Sequence, residues 1–194
     1  MNQKTVKIGN EQITLKKAEN LEEVLQVQDF DALIWTEGYK HYRTLFELDH
    51  NSIYVALNES GEIVSYVGVE RISQTDLGTG MPPWDHDPRG GWHKPNGDTW
   101  YIAGHAVDKN YRRSGLSNEM IEYLKQMAKV NNIPTISVIL RINHPTLGRS
   151  SNFWEHHGFA RLEHTFDPSW KASLIAEDSG GVIYATGNLL SSNQ

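Results

Sequence analysis

The 194-residue sequence contains no cysteine. That excludes a disulfide framework, a thiolate metal site and a cysteine nucleophile. No apolar run approaches the roughly 20 residues of a membrane-spanning helix. The opening residues, MNQKTVKIGNEQ, lack the apolar core of a secretory signal. A cytoplasmic protein with no membrane association is therefore the expectation. Basic residues are in the minority, 18 Lys and Arg against 24 Asp and Glu, for a net charge of −6. A general nucleic-acid binder carries a basic footprint, so no nucleic-acid partner is expected. Low-complexity tracts and internal repeats are also missing. What remains is a globular composition, 38% hydrophobic and 22% charged, in a length that suits one ordinary domain.

The periodicity alternates between strand and helix. Glu11 to Glu19 alternates weakly and predicts a first strand. Asn20 then predicts an N-cap, with Glu22 and Glu23 in the first turn and Leu21, Val24, Leu25, Val27 and Leu33 as the apolar positions of a helix. A second, shorter helix is expected over GYKHYRTLFELD. Two β-rich runs, Ser52 to Leu57 and Ile63 to Ile72, flank Asn58-Glu59-Ser60-Gly61, which is hairpin chemistry. Residues 73–98 break the pattern: they hold five glycines and four prolines and no period. A loop of that length inside a compact domain is usually functional or disordered.

A strand over Thr99 to Asp108 follows, then a helix over Ser117 to Val130 with Met120, Ile121, Leu124, Met127 and Ala128 on one face. TISVILRIN reads as a buried strand and GRSSNFWEHH as a short helix closed by Gly158. FARLEHTF and GGVIYATGNLL are the last strands. The expected architecture is α/β (α+β), a mixed, mostly antiparallel central sheet flanked by helices.

The stretch VDKNYRRSGLSNEMIEYL carries the chemistry. Arginines at a helix N-terminus oppose the positive end of the helix dipole unless an anion meets them. Successive N–H groups at such a strand-to-helix turn form an anion-binding concavity. Gly115 admits a ligand close to the backbone. Arg112 and Arg113 supply charge for a phosphate, and Ser114 and Ser117 are small donors. A solvated basic turn is the alternative from spacing alone. The stretch has neither the Gly-x4-Gly-Lys-Ser/Thr of a nucleotide loop nor the Gly-x-Gly-x-x-Gly of a dinucleotide site.

Val107 followed by Arg112-Arg113-Ser114-Gly115-Leu116-Ser117 resembles the acetyl-CoA signature of the GCN5-related N-acetyltransferase (GNAT) superfamily. There a strand ending in Val is followed by Arg/Gln-x-x-Gly-x-Gly/Ala. Phe153-Trp154-Glu155-His156-His157-Gly158-Phe159 resembles the family's Phe-Tyr-Glu-Lys-x-Gly-Phe segment. The two motifs occur in the family's order, with a helix and a strand between them. The resemblance covers Thr99 to Glu163 well. Through element order it extends to nearly the whole chain, a single domain over 1–194 with a long loop insertion at 73–98.

The resemblance implies acetyl-CoA as acetyl donor. Its pyrophosphate would rest on the N–H groups of Arg113, Ser114, Gly115, Leu116 and Ser117, with Arg112 at the entrance. The pantetheine arm would pair with backbone near Ala106 and Val107, and the neighbouring strand would contribute near Asn143. The N–H near Val107 would polarise the acetyl carbonyl. Two residues depart from the pattern. Ser117 stands where Gly or Ala is usual. Trp154 stands where many members carry the tyrosine that protonates the leaving thiolate, and an indole is no general acid at neutral pH.

Amine attack on a thioester needs a base. In the family this base often projects from the strand that enters the signature. Tyr101, Ala103 and His105 share parity with Val107 there. His105 is the candidate base, and Tyr101 is a candidate relay or substitute acid. Both also suit a strand core. Asp85, His86, Asp87 and His93 have metal-ligand chemistry but no ordered spacing, so no metal is expected.

Family resemblance places the acceptor site at the first two helices, the long loop and the loop between the last strands. Trp35, Glu37, Tyr39 and Trp84 are its candidate residues. The implied reaction is acetyl transfer to a primary amine of a small molecule or peptide. The alternatives on the same fold are a non-catalytic acyl-CoA-binding sensor or partner-binding module, and an acyltransferase that uses a longer acyl donor. Dimers are common in families like this one, and a closed two-fold homodimer is compatible with the resemblance.

Overall fold

The computed structural model describes residues 3–34, 52–73, 96–141, 147–165, 181–186 and 189–190. The strands are β1 (Gln3–Ile8), β2 (Glu11–Lys17), β3 (Ser52–Leu57), β4 (Ile63–Ser73), β5 (Asn96–Val107), β6 (Thr135–Arg141), β7 (Phe159–Thr165) and β8 (Gly181–Thr186). The described helices are α1 (Leu21–Ile34), α2 (Leu116–Val130) and α3 (Leu147–His156). The strands form one mixed sheet in the order β1-β2-β3-β4-β5-β6-β8-β7. β5 and β6 are neighbours joined through α2, the kind of crossover that parallel pairing requires. By their contacts the residues group into two compact units, 1–70 with 102–126 and 71–101 with 127–194.

In the first unit, β1 to β4 form an antiparallel meander. β1 is a strand the sequence pattern did not predict. Its burial is confined to Ile8 at the end, so no apolar alternation marks it. It turns into β2 through Gly9 and Asn10, with Ile8 opposite Glu11. Gly9 has φ 61 and Asn10 does not share the positive region, as expected for a two-residue turn with Gly in its first central position.

Alternation along the strands gives the unit two faces. On one, Val24 and Val27 of α1 pack with Ala18, Ile53, Val55, Tyr66 and Ala106. On the other, Tyr54 meets Tyr123 of α2 edge to face, with ring centroids 5.9 Å apart. Burial pushes the Tyr54 phenol well above its usual range, so it stays protonated in the core. Lys4 of β1 reaches Glu119 of α2 at 2.9 Å. Leu116, Met120, Ile121 and Leu124 of α2 are fully buried; the spacing predicts the last three, and Leu116 lies one residue before the predicted start of the helix.

The cap of α1 is the expected one. The Asn20 side chain accepts from the Glu23 N–H at 3.0 Å, and Glu23 reaches back to the Glu19 N–H at 2.8 Å. Asn20→Ala is expected to cost about 1 kcal/mol, measured as a shift in the chemical-denaturation midpoint with unchanged slope. The face of α1 differs from the sequence reading. Leu21, Leu25 and Leu33 are exposed, Leu33 by 87%, while Asp31 is only 1% exposed. Val24, Val27 and Asp31 are the positions at helical spacing that point inward.

In the second unit, β8 pairs antiparallel with both β6 and β7. The Thr186 hydroxyl accepts from the Ile136 N–H at 2.9 Å. α2 ends in this unit on Asn132, at φ 56. The Ile133 N–H bonds back to the Ala128 carbonyl and the Asn132 N–H to Lys129, which is the Schellman closure with asparagine in place of glycine. Gly158 closes α3 at φ 80, as predicted. The predicted helix within residues 35–51 and the loop 166–180 lie outside the described residues. Of the predicted long loop, Ser73 belongs to β4 and Asn96, Gly97 and Asp98 open β5; residues 74–95 lie outside the described residues.

Candidate acetyl-donor site

The signature turn lies wholly in the first unit. β5 ends at Val107, and the Asp108 N–H is held by the Val64 carbonyl of β4 at 2.9 Å. The Ser65 hydroxyl donates to the Ala106 carbonyl at 2.8 Å. Asp108 then caps a short 3-10 turn, Lys109–Tyr111, by accepting from the Asn110 N–H at 2.7 Å. Tyr111 donates its hydroxyl to Glu11 at 2.7 Å. That hydrogen bond raises the Tyr111 phenol above its usual range. These bonds anchor the turn to β2 and β4 before α2 begins.

Tyr111 to Ser114 form a β-turn. Arg112 has φ −66 and ψ 143, Arg113 has φ 64, and the Ser114 N–H reaches the Tyr111 carbonyl at 3.4 Å. This is a type II turn. Gly115 follows at φ 92 and its carbonyl receives the Glu119 N–H, the first bond of α2. Nothing lies within 4 Å of the position a Cβ would take on Gly115. Among the described residues no acceptor meets the N–H groups of Arg112, Arg113, Gly115 and Ser117. The turn therefore presents unsatisfied donors around an open, side-chain-free backbone, with exposed arginines beside it. That arrangement fits a diphosphate.

Several expected contributors differ in detail. The Ser114 hydroxyl is engaged in its own turn, donating to the Tyr111 carbonyl at 2.6 Å and accepting from the Leu116 N–H at 3.3 Å. The Leu116 side chain is fully buried, so any part it plays in a site is through its backbone. The Arg112 Nε donates to the Val107 carbonyl at 3.3 Å, latching the strand end. Arg113 occupies the left-handed region where glycine is at ease, at a cost of about 1 kcal/mol. Arg113→Gly is expected to leave stability unchanged or raise it by up to about 1 kcal/mol, read from thermal unfolding.

Val107 and Ala106 are buried at the end of β5. Ala106 faces the α1 side of the sheet, so alternation sets His105 and Val107 on the α2 side. His105 is half-buried and Tyr101 is 9% exposed. Asn143, Trp35, Glu37, Tyr39 and Trp84 lie outside the described residues. So do Asp85, His86, Asp87 and His93; no metal-ligating cluster occurs among the described residues.

Trp154 of α3 is 5% exposed. Its ring meets Phe153 at 5.1 Å and Phe159 at 4.9 Å, both edge to face. The substitution for tyrosine is thus absorbed by aromatic packing.

Sequence reasoning missed one polar pair. The Tyr66 hydroxyl of β4 donates to the Asp31 carboxyl of α1, with both residues 1% exposed. Phe30 packs edge to face on the Tyr66 ring at 6.1 Å. The signal was available in the spacing of Val24, Val27 and Asp31.

A cavity of about 920 Å³ lies at the same end of the first unit, lined by Glu11, Glu59, Glu62, Asp108 and Tyr111 among others. Its four carboxylates make it a poor host for phosphate.

A strand that ends in Val, a donor-rich turn with an open glycine, and an amphipathic helix behind it form a backbone cradle suited to an anion. The acetyltransferase (GNAT) family matches residues 19–159, and the chain belongs to that family. No curated protein matches it in sequence. Solved structures share the fold at low identity. The ribosomal-protein-S18-alanine N-acetyltransferase from Escherichia coli is 11% identical with a TM-score of 0.64, covering 94% of this chain and 97% of its own. NAA60 of Arabidopsis thaliana, in complex with a bisubstrate analogue, is 11% identical with a TM-score of 0.64 and coverages of 90% and 97%. A Bacillus anthracis protein assigned as a streptothricin acetyltransferase, in complex with acetyl coenzyme A, is 20% identical with a TM-score of 0.54 and coverages of 79% and 71%.

Proposed function

We propose that the chain is an acetyl-CoA-dependent N-acetyltransferase acting on a primary amine of a small molecule or peptide. The observation that carries this reading is the turn from Arg112 to Ser117: N–H donors that meet no acceptor among the described residues, around Gly115 at φ 92, with open space where a Cβ would stand on it. Those donors would hold the pyrophosphate of the donor. Arg112 keeps the end of β5 in place for it by its bond to Val107. The neighbours named as binding acetyl coenzyme A or a bisubstrate analogue add support at the level of fold.

Acetyl transfer forms a C–N bond and breaks the C–S bond of the thioester. The amine nitrogen loses a proton and the departing sulfur gains one. His105, half-buried on the strand that leads into the signature, is the group proposed to accept the amine proton. Tyr101, four residues earlier on β5, is proposed to relay it. Trp154 has no acidic proton to give, so in this reading the sulfur takes its proton from water or from the phenol of Tyr101.

Isothermal titration with acetyl-CoA, followed by a thiol-release screen over small and peptide amines, tests the reading. Binding at micromolar concentration and thiol release with at least one amine are expected. No binding of acetyl-CoA sinks it. Tight binding without release for any amine favours the acyl-CoA-binding module instead. His105→Gln is expected to lower turnover by about 10²-fold or more with acetyl-CoA affinity intact; unchanged turnover removes His105 from the reaction.

A further inference from the structure

The cavity of the first unit has walls of two kinds. One is apolar, made by Phe30 and Leu33 of α1 and Ile63 of β4. Phe30 and Ile63 rest on the core with part of their surface showing, and Leu33 is 87% exposed. An exposed leucine by itself means little. Here it extends an apolar surface into a concave site. The volume, about 920 Å³, falls within the roughly 300–1,000 Å³ of small-molecule pockets.

The other wall carries charge of one sign. Glu59 and Glu62 come from the β3–β4 turn, Glu11 from the start of β2, and Asp108 from the residue after β5. Each carboxylate uses one oxygen on a neutral donor. Glu11 accepts from the Tyr111 hydroxyl, Glu59 from the Gln12 N–H, Glu62 from the Asn58 amide and Asp108 from the Asn110 N–H. None of the four forms an ion pair among the described residues, although Lys109 and Arg113 stand on the adjoining turn. Nor do they converge: no three of them are grouped as a metal ion requires. Negative charge spread beside an apolar wall fits an extended organic cation better than a compact inorganic one. The site is also separate from the proposed base. Phe30 and Leu33 place it on the α1 side of the sheet, and alternation sets His105 on the other.

We infer that this cavity is a second ligand site of the protein, which binds a linear aliphatic diammonium ion. The methylene chain would lie along Phe30, Leu33 and Ile63. The two ammonium groups would meet the remaining oxygens of Glu59 and Glu62 and of Glu11 and Asp108, in charge-assisted hydrogen bonds. An inorganic cation would leave the apolar wall unused. No acyl donor takes part, so the inference stands apart from the acetyl-CoA reading.

The test is calorimetric titration of the full chain, without acyl donor, with hexamethylenediamine, with hexanediol and with magnesium chloride. One saturable site for the diamine is expected. Hexanediol, of similar length without charge, should bind at least about tenfold more weakly, and magnesium should not displace the diamine. Glu59→Gln/Glu62→Gln keeps an acceptor for the Gln12 N–H and the Asn58 amide, removes the charge, and should weaken diamine binding about tenfold or more. Leu33→Ser should weaken it about threefold or more. Glu19→Gln/Glu22→Gln removes the same charge from the exposed N-terminal end of α1, away from the cavity, and should bind as the wild type does. Thermal unfolding checks that each variant is folded. No saturable binding by the wild type, undiminished binding by Glu59→Gln/Glu62→Gln, or an equal loss in both double variants overturns the inference. Displacement of the diamine by magnesium also overturns it, since the cavity would then be a site for inorganic cations. So does acetylation of the diamine that is lost in Glu59→Gln/Glu62→Gln, since the cavity would then be the acceptor site.

Discussion

Gly115→Asp is expected to weaken acetyl-CoA binding by about 100-fold or more while the protein stays folded. Two separate terms contribute. The first is conformational. Gly115 sits at φ 92, and a Cβ in the left-handed region costs about 1–2 kcal/mol. The second is electrostatic. The new carboxylate would stand among the N–H donors that face the pyrophosphate. A pair of like charges ~4 Å apart repel by about 4 kcal/mol at the effective dielectric of a protein surface, and salt reduces this. Even half of that exceeds a tenfold loss in affinity. The fold should survive, because the Cβ meets nothing within 4 Å. Gly115→Ala separates the two terms: it carries the conformational cost without the charge. Titration calorimetry beside thermal unfolding distinguishes them. Wild-type affinity in Gly115→Asp would place the pyrophosphate elsewhere.

The second large effect is on stability. Asp31→Ala is expected to cost about 2–4 kcal/mol, because it leaves the buried Tyr66 hydroxyl without its acceptor and opens space between α1 and the sheet. Tyr66→Phe should cost less, about 1–2 kcal/mol. The double variant should fall short of the sum, since each single change already breaks the same bond. Chemical denaturation of the four proteins gives the coupling. Strict additivity would show that Asp31 draws its stability from other contacts.

Much of this was legible beforehand, for identifiable reasons. α2 carries a clean apolar stripe, and Met120, Ile121, Leu124, Met127 and Ala128 are all buried. The hairpin of β3 and β4 was written in Asn58 to Gly61: the Asn58 side chain accepts from the Ser60 and Glu62 N–H groups, and Gly61 takes φ 79. β1 escaped because only Ile8 is buried on it. The face of α1 was misjudged because Leu21, Leu25 and Leu33 outweigh an aspartate in any hydrophobic pattern. Yet the aspartate is the inward residue, held by a tyrosine 35 positions away. The residues that suit the turn to an anion, its arginines and glycine, were visible in the sequence. The strain at Arg113 was not, because backbone torsion has no signature in residue identity when the residue is neither Gly nor Asn.

The interleaving of the two units bears on how the chain is made. The first unit takes residues 1–70 and then 102–126, with 71–101 of the second unit between them. Lys4 waits for Glu119, and Glu11 waits for Tyr111. On a ribosome, the β1–β4 meander would emerge long before α2 arrives to cover Tyr54. The nascent chain must therefore carry an uncovered apolar sheet face until about residue 126 clears the exit tunnel. By then β6, β7 and β8 of the second unit have still to emerge. Shortened chains ending before α2 should be quickly degraded or held by chaperones, a vulnerability that belongs to the order of synthesis and not to the finished molecule.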